Sequence, residues 1–161
     1  MDSLEQRIQR LEDIEAIRLL KARYFHACDT KDTATIRSCF AEQEVVIDYG
    51  QIGVFTDVDA FVDIYTQMAC NDHIIDMHHG QNAQINWETP ERASAIWDLY
   101  FHQINTQTST LTQLGGHYFD VFTRQNGEWK ILNTQFNVTS SCVSSFEKGS
   151  PTILFAGKSP A

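Results

Sequence analysis

The sequence predicts a cone-shaped α+β domain, with three N-terminal helices packed on a strongly curved, mostly antiparallel sheet. Three observations predict it. Apolar residues first recur at helical spacing; from residue 74 onward they recur in long strand-like runs closed by turn residues; and 161 residues is the length of one domain. Helices that come first and adjacent strands that follow do not alternate as in a parallel-sheet protein. The helices therefore collect on one face of a meander.

The first helix is expected over residues 4–28. Leu4, Ile8, Leu11, Ile14, Ile17, Leu20, Tyr24 and Cys28 follow one another in steps of three and four, with no Pro or Gly between them, and Ser3 with Gln6 offers a capping box. A short second helix fits Thr33 to Phe40, with Asp32 as its N-cap. Val45 to Tyr49 is β-branched and aromatic, and Gly50 and Gly53 turn the chain after it. Asp57 to Cys70 reads as the third helix, carrying Val58, Phe61, Ile64, Tyr65 and Met68. Four strands are expected at Ile74–Trp87, Arg92–Thr106, Leu111–Arg124 and Glu128–Ser141, with turns at Thr89-Pro90 and Asn126-Gly127. Residues 1–142 form the domain in this reading. Residues 143–161 form a tail in which Ile153-Leu154-Phe155 is a candidate lid over the pocket mouth.

Composition narrows the function. Acids outnumber bases 21 to 12, for a formal charge of −9, so the cationic footprint of a nucleic-acid binder is missing. A 42% apolar and 11% aromatic content supplies a real core and excludes disorder. No apolar run is long enough to span a membrane, and the acid-rich start carries no leader-like apolar region. Cys28, Cys39, Cys70 and Cys142 form neither a CxxC pair nor a metal-ligand pattern. The expectation is a cytoplasmic protein with reduced thiols, no metal site, and a small molecule as its partner.

A helix laid across a curved sheet leaves a hollow, so the informative residues are polar ones inside the apolar pattern. Asp29 follows the helical stripe one turn after Phe25. Alternation places His78, Gly80, Asn82 and Gln84 on one face of their strand. It places Met77, His79, Gln81, Ala83, Ile85 and Trp87 on the other. Alternation alone leaves open which face is concave. If Asp29 and His78 meet in the hollow, the carboxylate fixes the imidazole tautomer and stabilises the imidazolium, which makes a general base. Tyrosine hydroxyls beside it would polarise a carbonyl or protonate a departing hydroxyl. Each residue also has an ordinary reading: a strand histidine packs, Asp29 ends a helix, and Tyr24 belongs to the core. His73 and His117 read as loop or edge residues. No nucleophile elbow or phosphate loop is present.

Several segments resemble the SnoaL-like group of the nuclear-transport-factor-2-like superfamily. They are Asp13-Ile14-Glu15-Ala16-Ile17, Tyr24-Phe25, Asp29-Thr30-Lys31-Asp32, Ile47-Asp48-Tyr49, His78-His79-Gly80-Gln81-Asn82 and Gly127-Glu128-Trp129-Lys130-Ile131. The pattern is similar to scytalone dehydratase, bile-acid 7α-dehydratase and γ-hexachlorocyclohexane dehydrochlorinase. That resemblance implies a cofactor-independent lyase or isomerase acting on an apolar, ring-bearing molecule. It implies His78 as base, Asp29 as its orienting partner, and Tyr24 and Tyr49 as catalytic tyrosines. Tyr118, His79, Asn82 and Tyr100 complete the expected substrate contacts. A homo-oligomer, trimer or dimer, is implied as well. The sequence departs from scytalone dehydratase at Cys28 and Gly116, where that enzyme has a tyrosine and a serine; it also lacks the basic residue that the dehydrochlorinase has near Thr134 and the acid that the bile-acid enzyme has near Phe101. A polyketide-type cyclase with the same base, a non-catalytic small-molecule binder and an accessory subunit remain alternatives.

Overall fold

The structure, a computed structural model, describes residues 2–147, 149 and 151–157. Helix α1 (Leu4–Thr30) opens on the expected capping box: Gln6 N donates to Ser3 Oγ at 3.2 Å and Ser3 N to Gln6 Oε1 at 2.8 Å. It closes at Lys31, whose φ of 61° is left-handed, and the N–H groups of Lys31 and Asp32 cap the Cys28 and Ala27 carbonyls. The helix thus runs past Cys28 and carries Asp29 in its last turn. Helix α2 (Thr33–Ser38) and helix α3 (Val58–Ala69) start on Asp32 and Asp57, whose carboxylates accept from backbone N–H groups in the first turn. No described helix is long and apolar enough to cross a membrane.

The sheet contains β1 (Val46–Asp48), β2 (Val54–Phe55), β3 (Ile74–Thr89), β4 (Arg92–Asn105), β5 (Thr110–Gln125), β6 (Glu128–Ser145) and β7 (Thr152–Gly157). Its order is β2-β1-β6-β5-β4-β3, with β7 also paired to β6. Among these pairs only β1–β6 is parallel. The expected α+β plan is borne out: three helices cover one face of a curved, unclosed sheet. After residue 142 the chain continues β6 to Ser145, then returns as β7 along its edge. Ile153 and Leu154 are exposed and stand apart from the cavity wall. Residues 158–161 of the expected tail lie outside the described residues.

The helical stripe is only half buried. Ile17, Leu20, Tyr24, Phe25 and Cys28 face the sheet, whereas Leu4, Ile8 and Leu11 are exposed. The boundary is Asp13, which is buried. Its carboxylate accepts from Arg124 Nη1 (3.0 Å), Trp129 Nε1 (3.1 Å), Trp87 Nε1 (3.3 Å) and Gln9 Nε2 (3.2 Å). Trp87, Arg124 and Trp129 sit near the ends of β3, β5 and β6, so α1 leaves the sheet there, and Leu4, Ile8 and Leu11 stay exposed while Arg10 still lies over the Trp87 ring at 4.8 Å. A buried carboxylate with four donors is a strong tie between helix and sheet.

One irregularity decides the site. The β3–β4 register shifts between Gln81 and Gln84, and Asn82 sits at φ 51°. This β-bulge adds a residue and inverts the alternation beyond it. His78 and Gly80 point into the concave side before the bulge; Ala83 and Ile85 pack on the core after it. Strict alternation had put those two sets on opposite faces. At Gly80 a Cβ would lie 2.2 Å from Phe25 Cε2, so glycine is what lets the Phe25 ring reach the strand.

Candidate active site

Helices α1 and α3 and the concave face of the sheet bound a cavity of about 410 Å³. Its wall is largely apolar, with Phe61, Met68, Leu99, Phe101, Leu114 and Phe136. Into it project His78 from β3, Tyr24 from α1, Tyr49 after β1, and Tyr118 from β5.

The last turn of α1 brings Asp29 to β3. Both carboxylate oxygens accept from the His78 backbone N–H at 3.1 Å, and Oδ1 accepts from His78 Nδ1 at 2.6 Å. A carboxylate offers no proton here, so Nδ1 carries the hydrogen and Nε2 is left with its lone pair. The ring stacks on Phe25, nearly parallel at 14° with centroids 5.7 Å apart, and tilts against Phe101 at 4.6 Å. The His78 and Asp29 side chains are only 15% and 24% exposed, so water screens the pair little. The geometry can hold one imidazole tautomer, aim it, and stabilise its protonated form.

The tyrosines form a second group. Tyr24 and Tyr49 hydroxyls meet at 2.7 Å, and the Tyr49 and Tyr118 rings meet edge to face at 6.0 Å. Burial pushes all three phenols well above their ordinary value, so they stay neutral donors. Behind them, Lys21 Nζ pairs with Asp120 Oδ2 at 2.7 Å, both side chains fully buried, and Thr134 Oγ1 donates to Asp120 Oδ1 at 2.7 Å. The Lys21 ammonium lies 3.7 Å from the centre of the Tyr118 ring.

These phenols predict an alkaline signature. Each has its pKa raised in the fold, so above pH 10 the unfolded chain loses protons that the folded chain keeps. Stability is present below pH 10 and falls as pH rises, by about 1.4 kcal/mol per pH unit for each tyrosine. Urea midpoints between pH 9 and 11 will show it. Tyr24→Phe will remove one tyrosine's share of the slope, and an unchanged slope would contradict this account.

Three expected contacts lie elsewhere. His79 and Tyr100 are cross-strand partners on the outer face, Tyr100 is 47% exposed, and its hydroxyl accepts from Gln113 Nε2 at 2.7 Å. Asn82 turns outward at the bulge and donates to Asp98 Oδ2 at 2.7 Å. His79 and Tyr100 have the wrong parity relative to His78, and Asn82 has it reversed by the extra residue. Asp98 also bonds His117 at 2.8 Å, again on the outside.

The cavity also contains polar residues the sequence reading passed over: Asp76, Gln103, Asn105 and Tyr65. Asp76 was legible, since it lies two positions before His78 on the same strand. Gln103 and Asn105 were not, because their placement depends on the β3–β4 register. Tyr65 O–H donates to the Cys28 carbonyl at 2.5 Å. The Cys28 thiol is pushed up to about 12 by burial and stays protonated. At Gly116 a Cβ would meet Asn137 O at 2.3 Å, so no side chain can stand there. Among the described residues no three of His, Cys, Asp and Glu gather as a metal-binding group.

The sequence profile of the SnoaL-like domain matches residues 9–135. The chain belongs to the SnoaL-like family. Several solved structures share the fold of this SnoaL-like protein. A candidate scytalone dehydratase from Novosphingobium aromaticivorans is 18% identical with a TM-score of 0.76, covering 93% of this chain and 94% of that one. A hexachlorocyclohexane dehydrochlorinase from Novosphingobium barchaimii is 14% identical with a TM-score of 0.76, covering 95% and 99%. A candidate aromatic ring hydroxylase from Novosphingobium aromaticivorans is 22% identical with a TM-score of 0.72, covering 80% and 90%. At these identities the likeness concerns the SnoaL-like scaffold, and the chemistry has to be argued from this site.

Proposed function

We propose that this protein is a dehydratase-like lyase or isomerase, working without a cofactor on an apolar, ring-bearing small molecule. The observation that carries this reading is the 2.6 Å bond from His78 Nδ1 to Asp29 on the wall of an apolar cavity. His78 Nε2 removes a proton from the carbon next to a carbonyl. The C–H electron pair moves into an enolate, whose oxygen is held by the Tyr24 and Tyr49 hydroxyls. The enolate collapses to a carbon–carbon double bond, the bond to a β-hydroxyl breaks, and the imidazolium returns its proton to the leaving oxygen as water. Atoms balance and no electrons are exchanged with an outside partner. Asp29 holds the tautomer throughout, and Tyr118 lines the cavity beside the phenol pair.

The neighbours named as a dehydratase and a dehydrochlorinase support elimination, because both names describe loss of a small group. Without a leaving group the same enolate would be reprotonated elsewhere, which is isomerisation. Assembly of identical copies belongs to this reading too; exposed Ile75, Met77 and Phe119 on the outer sheet face support it.

The test is dehydration of 3-hydroxy-1-tetralone, which yields fluorescent 1-naphthol by loss of water alone. Catalysed formation of naphthol is expected. Binding of the ketone with no rate above buffer, and no deuterium incorporation at its α-carbon, would identify a binding protein instead.

A further inference from the structure

The cavity has a second polar pole. In the β3–β4 ladder the pairs Ile74–Asn105, Asp76–Gln103 and His78–Phe101 stand in sequence, and all six residues line the cavity. Asp76 is therefore one inward-facing step from His78, about 7 Å along the strand. Its side chain is 4% exposed. Oδ1 accepts from Gln103 Nε2 at 2.9 Å, and Oδ2 pairs with Lys31, which caps α1. A carboxylate has about four acceptor positions, so about two are unused by these partners.

We propose that Asp76 and Asn105 form a subsite for an uncharged hydroxyl group, carried on the substrate away from the reacting carbon. This rests on the cavity being the substrate site proposed above. Three features define the ligand chemistry. First, the Lys31–Asp76 pair is already neutral, so an added cation would face Lys31 and an added anion would face Asp76. Second, Asn105 Oδ1 is occupied, accepting from Gln107 N at 3.0 Å and Thr108 N at 3.1 Å, which leaves its Nδ2 as a donor. Third, Asp76 can only accept. A hydroxyl suits this pair because it donates to Asp76 and accepts from Asn105. A carboxylate buried in an apolar wall is otherwise a cost, which an apolar residue would avoid. The substrate class is thus a ring-bearing molecule with oxygen functions at both ends.

Calorimetric titration with two probes tests the subsite. 2,6-Dihydroxynaphthalene presents a hydroxyl at each end, whereas 6-methoxy-2-naphthol has one of them capped and unable to donate. The native protein is expected to bind the diol about 10-fold more tightly, the size of one hydrogen bond to a charged acceptor. In Asp76→Asn the amide can donate to either oxygen, so the preference is expected to disappear; Asp76→Ala should lose it as well. His78→Ala should keep the preference, because the subsite is intact there. Equal affinity for both probes, no binding of either up to solubility, or a preference that survives in Asp76→Asn would overturn the proposal. Turnover retained in His78→Ala would overturn the base assignment while leaving this selectivity standing, so the two failures are distinguishable.

Discussion

Replacing His78 with alanine is expected to lower kcat for 3-hydroxy-1-tetralone by about 10²- to 10⁴-fold, the range of a positioned general base. The fold should survive. Asp29 also accepts from the backbone N–H of residue 78 at 3.1 Å, and that bond does not need the imidazole. What is lost is the ring between Phe25 and Phe101, a partly exposed side chain on the cavity wall rather than one in the fully buried core. Asp29→Asn should cost a comparable factor by a different route. Its amide can offer a proton to Nδ1, which shifts the ring proton to Nε2 and removes the lone pair that does the work. Circular dichroism and melting temperature check that each variant is folded. Full activity in folded His78→Ala would remove His78 from the mechanism.

The largest stability effect is expected from Asp120→Ala. Lys21 and Asp120 are both fully buried, and the substitution strands an ammonium beneath the Tyr118 ring. Breaking such a pair costs about 3–5 kcal/mol, because the remaining charge has lost its compensation. The double variant Lys21→Met with Asp120→Leu should recover most of that loss, since neither charge then has to leave water. The pH dependence has a definite sign. Desolvation already pulls the Lys21 pKa below its ordinary value, and Asp120 opposes that pull. Without Asp120 the folded state binds Lys21's proton less firmly still, while the unfolded chain keeps it. The Asp120→Ala deficit should therefore shrink as pH rises from 7 toward 10. Urea midpoints at pH 7 and 9.5 measure it; a deficit below about 1 kcal/mol at pH 7 would mean water reaches Lys21.

The order of the three helices and the four long strands, and the capping residues Ser3 and Asp32, were readable along the chain, because each depends on neighbours within a few positions or on a period of two or three to four residues. Asp29 and His78 were marked as a pair by the resemblance to the SnoaL-like group, since no local pattern links positions 49 apart. Several features were not readable. Asn82 looks like any polar strand residue until its left-handed φ is seen, with the bulge that sets Asn82 and Ala83 against Trp97 alone, between the Gln81–Asp98 and Gln84–Ile96 pairs. That bulge sends Asn82 out and Ala83 in. Lys21 and Asp13 are charged residues outside the apolar stripe of α1, so nothing local marks them for burial. They are buried because Asp120, Arg124, Trp87 and Trp129 wait for them on strands far along the chain.

The residues alone determined that three helices would precede a meander, that the chain could fill one apolar core, and which side chains were capable of acid–base work. Hydrophobic period and cap chemistry are local, so they are written in order along the chain. Tertiary structure decided which of those side chains share a cavity. A strand's face depends on bulges and on the register of its neighbour, and a buried charge depends on a partner far along the chain. Asp76 facing Gln103, and His79 facing out, are consequences of pairing, which no single segment contains.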